Sequence, residues 1–142
     1  MKVKLFTFAI LIAASVIASD EVALIKSIQG DVILKRGKEI VPAQKGGVLL
    51  EHDIIQTGTK GLIGLSFLDG TLLSVGPKSL LEIDEYLFAP SRKKFAFDVT
   101  LHKGTAAFES GRIGKLAPEK VHFKISQGIV GIRGTKFVVE AE

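Results

Sequence analysis

Strict alternation of apolar and polar residues constrains this chain more than any other feature. Phe95, Phe97, Val99 and Leu101 are interleaved with Ala96, Asp98, Thr100 and His102. Val121, Phe123 and Ile125 alternate with His122, Lys124 and Ser126, and Ile63, Leu65 and Phe67 with Gly64 and Ser66. A period of two puts every second side chain on one face, so each segment reads as a half-buried strand. No segment beyond the first twenty residues shows sustained helical periodicity. Leu80 to Phe88, the nearest candidate, is apolar on too many sides and follows Gly76-Pro77, so it reads as strand plus turn.

Glycine marks the ends of these segments. Asp69-Gly70 between Leu68 and Thr71 carries the signature of a tight two-residue hairpin. That register pairs Phe67 with Leu72 and sends Leu73 and Val75 to the opposite face. Either a bulge shifts the register or both faces of the hairpin are covered. Lys35 to Lys38 around Gly37 forms a second tip, Gly46-Gly47 and Gly58 mark bends, and Ala89-Pro90-Ser91 opens a basic loop, Arg92-Lys93-Lys94. Strands broken by turns every ~8–12 residues predict an all-β chain. The expected form is a short twisted β-solenoid or a sandwich-like stack of antiparallel hairpins.

The first residues belong to a different class. Lys2 and Lys4 precede a charge-free run from Leu5 to Ser19, and Val16-Ile17-Ala18 has the small-residue pattern of a cleavage site. The run falls short of the ~20 residues of a spanning helix. Residues 1–18 are therefore expected to be a signal peptide, and 19–142 a single exported domain in the periplasm or outside the cell. The chain has no cysteine, which excludes a lipid-anchored leader and leaves hydrophobic packing to hold the fold. Part of the net charge of +4 sits on the leader's two lysines. The remaining excess is too small for a nucleic-acid partner to be expected.

Five short motifs remain. They are Gly30-Asp31-Val32; Asp53 through Thr57-Gly58; Phe67-Leu68-Asp69-Gly70-Thr71; Val75-Gly76-Pro77-Lys78-Ser79; and Ile132-Arg133-Gly134-Thr135-Lys136-Phe137. In this order and spacing the chain resembles the FecR domain family, from about Ile25 to Val139. The best-known members are periplasmic parts of iron-siderophore signalling regulators. The resemblance implies the fold and recognition of an envelope partner. It does not imply cytoplasmic sigma-factor control, because an anti-sigma segment and a transmembrane helix are replaced here by the leader. Ser126-Gln127-Gly128 also stands where the family often has Thr-Pro, and the chain stops soon after the arginine motif. That ending is expected to leave a strand edge open to self-association.

Each motif has a structural and a binding reading. Asp53, with Thr57 and Gly58, is expected to fix a bend by accepting backbone N–H bonds rather than to face a ligand. Asp69 and Gly70 need only hairpin chemistry, and Gly76, Pro77 and Ser79 read as a corner. Arg133, with Gly134 and Thr135, sets a permanent charge among apolar strand residues. The expected answer is a carboxylate partner, Asp53, Asp69 or Asp84, with an anion site as the alternative. Tyr86, the one tyrosine, suits either packing or a partner contact.

Catalytic patterns are missing. No Gly-x-Ser-x-Gly elbow occurs, and Gly58-Thr59-Lys60 and Gly134-Thr135-Lys136 lack the ending of a phosphate loop. His52, His102 and His122 have no metal-ligand spacing. The expectation is thus a non-enzymatic envelope module without cofactor or metal, which recognises an envelope protein or polymer through strand edges or turns and extends to signal sensing. A scaffold role without a small ligand is the alternative, and a hydrolase or metal enzyme ranks third.

Overall fold

The computed structural model describes residues 21–131 and 136–142. The leader assigned to residues 1–18, and Arg133, Gly134 and Thr135, lie outside the described residues.

The described residues are nearly all antiparallel β, with twelve strands among them in one curled, half-barrel sheet. In chain order these are β1 (Glu21–Gln29), β2 (Val32–Arg36), β3 (Glu39–Pro42), β4 (Val48–Leu50), β5 (Ile54–Thr57), β6 (Leu62–Phe67), β7 (Leu72–Val75), β8 (Leu80–Ala89), β9 (Lys94–Glu109), β10 (Val121–Ile125), β11 (Gly128–Gly131) and β12 (Lys136–Ala141). A five-residue helix α1 (Arg112–Leu116), unforeseen from periodicity, and a 3₁₀ turn (Pro118–Lys120) lie between β9 and β10.

β9 organises the sheet because it is shared. Its first part pairs with β8 and, in parallel, with β10; its last six residues pair with β7 and β12. The parallel β9–β10 pair departs from the expected stack of purely antiparallel hairpins. It is possible because α1 and the 3₁₀ turn carry the chain back to the start of β9. The partners change at Gly104, whose φ of +96° belongs to a region that L side chains rarely adopt. A Cβ there would lie 2.0 Å from Ser79 Oγ. Only glycine lets β9 bend against that corner.

The inner faces meet in a chain of aromatic rings. Phe67 lies 5.1 Å from Tyr86 and 4.9 Å from Phe97; Phe97 contacts Phe108 at 5.5 Å, and Phe108 stacks on Phe137 at 4.8 Å. Phe123 closes the row edge-on to both Phe108 and Phe137. Rings from six positions therefore tie β6, β8, β9, β10 and β12 into one core, with Leu49, Ile55, Ile63, Leu73, Leu81 and Leu101 filling around them. The alternation read from the sequence supplies these inward positions.

The β6–β7 hairpin resolves the register question. Its loop has three residues, Leu68, Asp69 and Gly70, rather than two. Gly70 N–H donates to Phe67 O at 3.0 Å, and Phe67 N–H donates to Thr71 O at 2.9 Å. Gly70, at φ +87°, takes the left-handed position that ends a type I turn with a bulge. Leu65 then faces Leu73 and Ile63 faces Val75, all four buried. The β2–β3 hairpin turns at Gly37, as expected, through a two-residue loop with Arg36 opposite Glu39. Leu80 to Phe88 lies within one strand, β8, whose register slips at Asp84.

Candidate functional site

The described motif residues gather into three buried polar knots. In the first, Asp53 is 1% exposed. Its Oδ2 accepts the Leu50 N–H at 2.8 Å, fixing the bend from β4 into β5. Its carboxylate also takes a two-pronged bond from Arg36, Nε to Oδ1 at 3.0 Å and Nη2 to Oδ2 at 2.8 Å. The bond to Asp53 holds the guanidinium pKa above its ordinary value. Sequence reasoning missed Arg36, because nothing local distinguishes it from the other cations of the β2–β3 tip.

The second knot joins Thr57, Gly76, Pro77 and Ser79. Thr57 Oγ1 donates to Gly76 O at 2.6 Å and accepts the Ser79 N–H at 2.8 Å. Ser79 Oγ donates to Pro77 O at 3.1 Å and accepts the Thr105 N–H at 3.0 Å. Gly58 is tied in by donating to Asp31 O and accepting from Lys78 N–H. Two hydroxyls thus satisfy the backbone where β5, β7, β8 and β9 converge. Thr105 and Gly104 join this knot by tertiary contact alone and carry no local signal of it.

The third knot surrounds Asp69. Its Oδ1 accepts from the Tyr86 hydroxyl at 2.8 Å, and its Oδ2 from Thr71 Oγ1 at 2.6 Å and the Ile113 N–H at 3.1 Å. The carboxylate therefore caps the start of α1 from a distant hairpin, a role that local residues supply in most helices. Arg112 N–H donates to Asp69 O as well. In all three knots the side chains of Asp53, Asp69 and Ser79 are spent on bonds within the fold. Tyr86 also lines a hollow of about 290 Å³, and Arg36 and Thr57 each line one of about 180 Å³, yet no buried side-chain polar atom among the described residues lacks a partner.

An accessible groove lies at the β8–β9 tip. Its volume is about 440 Å³, and it is lined by Pro90, Lys93, Phe95, Leu116, Ala117, Glu119 and Lys120. The β8–β9 tip supplies one wall, and α1 with the 3₁₀ turn supplies the other. Asp69 positions that second wall through α1. Leu116 is 54% exposed at the groove, a large apolar side chain left in water. Phe95, which also lines the groove, packs on Phe88, whose ring lies 5.0 Å from the Arg112 guanidinium. Lys93 and Lys120 stand at the rim with one acid, Glu119, and Arg92 and Lys94 flank Lys93. The basic loop was legible in the sequence; its apolar floor was not, since Leu116 and Phe95 are 21 positions apart.

The histidines stay apart. His102 meets Glu82 at 2.9 Å and His122 meets Asp98 at 2.6 Å, on the outer face of the sheet. Among the described residues no group of three or more acids and histidines is gathered to hold a metal. No helix among them is long and apolar enough to cross a membrane.

Comparison with known proteins agrees with the motif order. No curated protein matches the chain. A solved structure described as a "Cell surface anchoring domain" is similar over 44% of this chain and 83% of that chain, at 22% identity and a TM-score of 0.43. That likeness is too loose to transfer anything. The family model described as FecR protein, in contrast, matches residues 53–142, more than half of the chain, including the Asp53, Asp69-Gly70 and Gly76-Pro77 motifs. The chain belongs to the FecR protein family.

Proposed function

We propose that this protein is an exported, non-enzymatic binding module of the cell envelope, and that its recognition site is the groove between the β8–β9 tip and α1. The observation that carries this reading is one groove lined both by apolar side chains, exposed Leu116 and half-buried Phe95, and by the exposed cations Lys93 and Lys120. Burying Leu116 supplies affinity, on the order of 1–2 kcal/mol for its exposed half. The lysines select an acidic partner and speed its arrival. The occupant is a segment of an envelope protein that carries apolar and acidic side chains together. Signal sensing is the extension of this reading: occupancy of the groove reports the partner's presence.

Family membership and the leader-like start support an envelope setting. The satisfied motif knots support a scaffold role for the residues that the family pattern marks, and leave recognition to the groove. The test compares the wild-type chain with Leu116→Asp and with Lys93→Glu/Lys120→Glu in pull-downs from envelope extract. One dominant protein partner, lost in both variants while their melting temperatures stay at the wild-type value, is the expected result. Binding to sacculi that both variants retain would replace this reading with the scaffold one.

A further inference from the structure

Four strands of the sheet have a neighbour on one side alone among the described residues: β3, β4, β11 and β12. Open edges invite pairing, and most are blunted by shortness, proline, bulges or glycine. β3 ends in Pro42, β4 has three residues, and β11 is bracketed by Gly128 and Gly131. β12 has none of these, and its one remaining guard, the outward charges of Lys136 and Glu140, is of opposite signs that a second copy can pair. Its six residues, Lys-Phe-Val-Val-Glu-Ala, contain neither proline nor glycine and run along β9 without a register shift. Phe137, stacked on Phe108, and Val139 and Ala141, both buried, fasten it to the core. Lys136, Val138 and Glu140 face outward, with Val138 72% exposed.

We infer that β12 pairs with β12 of a second copy of this chain, antiparallel about a two-fold axis at Val138, joining two sheets into one. The register follows from the side chains. Antiparallel partners on one face share a residue sum, and centring on Val138 sets Lys136 opposite Glu140 of the other copy, twice by symmetry. Val138 then meets its own copy between these ion pairs, and Phe137 lies opposite Val139 on the core side. Centring on Val139 instead would set Val138 against Glu140 and move the charge pairs to Lys136 and Glu142, past the end of β12. Lys136 already lies 3.6 Å from Glu109 on its own chain, so the dimer places it between two carboxylates. The edge shares no residue with the groove, so this inference and the proposed function fail independently.

The test uses the purified exported chain. Sedimentation velocity should show a reversible, concentration-dependent dimer that weakens with added salt. Lys136→Glu and Glu140→Lys should each weaken dimerisation about tenfold, since attraction becomes repulsion at both pairs. Mixing the two variants should restore it, because the heterodimer regains both pairs; a folding defect would not be rescued by mixing. The cysteine-free sequence allows a second measurement. Val138→Cys should form a disulfide-linked dimer on mild oxidation, since facing Cα atoms lie about 4.5–5.5 Å apart. Lys136→Cys should not, its copies being about 14 Å apart. A chain that stays monomeric at all concentrations overturns the inference, as does one whose edge takes up only the strand of another protein. A dimer indifferent to the charge reversals, or one that Val138→Cys fails to link, overturns it equally.

Discussion

Tyr86 grips Asp69 at two points: its hydroxyl donates to Oδ1 at 2.8 Å and accepts the Asp69 N–H at 2.9 Å. Both residues are buried, and the same carboxylate caps α1, one wall of the groove. A hairpin loop, a strand of the opposite half and the helix are thereby locked by one phenol–carboxylate contact.

Removing that hydroxyl should be felt throughout. Tyr86→Phe leaves the buried Asp69 N–H without its partner and Oδ1 with the Thr71 N–H alone, and a loss of about 2–3 kcal/mol is expected. Urea denaturation followed by circular dichroism measures it. An unchanged midpoint would show that the contact contributes nothing.

The same phenol predicts alkaline behaviour. Burial and the neighbouring Asp69 charge raise the Tyr86 pKa well above the ordinary tyrosine value. The folded chain holds this proton more tightly than the unfolded chain does. Its contribution is complete below about pH 10, where an unfolded tyrosine begins to ionise, and is lost as the pH rises further. Stability measured from pH 8 to 11.5 should fall at the alkaline end, and less steeply in Tyr86→Phe than in the wild type.

Arg36 should matter more than its position on a hairpin suggests. Its side chain is 32% exposed, whereas Asp53 is 1% exposed. Arg36→Ala strands a buried carboxylate with the Leu50 N–H as its remaining partner at that bend, and about 2–3 kcal/mol should be lost, below the full value for a wholly buried pair. Arg36→Ala/Asp53→Asn should recover part of that loss in a double-mutant cycle, since the uncompensated charge is gone. Additive losses would dismiss the pair as a unit.

Two glycines with positive φ should respond very differently to alanine. At Gly70 no atom lies within 4 Å of the added Cβ, so Gly70→Ala meets conformational strain alone, about 1–2 kcal/mol. At Gly104 the same Cβ would sit 2.0 Å from Ser79 Oγ and 2.6 Å from Ser79 Cα. Gly104→Ala must displace the corner that Thr57, Ser79 and Thr105 share, and a loss of about 3 kcal/mol or more is expected. Equal melting temperatures for the two variants would contradict the close approach at Gly104.

Thr57→Val tests that corner from the other side. The substitution keeps the shape but removes the oxygen that bonds Gly76 O, half-buried, and Ser79 N–H, buried. About 2 kcal/mol should be lost in chemical denaturation. Hydrogen exchange at the Ser79 amide should rise further than exchange in β9. Uniform acceleration across the sheet would assign the effect to global destabilisation instead.

Much of this fold is written in the order of residues. Alternation along Phe95–Leu101 and Val121–Ile125 requires strands with one buried face, and Gly37, Asp69-Gly70 and Gly76-Pro77 mark their ends, because these are local consequences of side-chain polarity and backbone freedom. The family pattern was legible for the same reason: its motifs are turns. What the sequence alone could not settle depends on contacts between distant segments. The bulge that puts Phe67 and Leu73 on one face is a choice between loops of nearly equal local cost, decided by burying both. The parallel pairing of β10, the capping of α1 by Asp69, the salt bridge from Arg36 to Asp53 and the floor of Phe95 and Leu116 each join residues 17 or more positions apart. Local polarity determines which side chains must leave water; only the folded core determines which of them meet there.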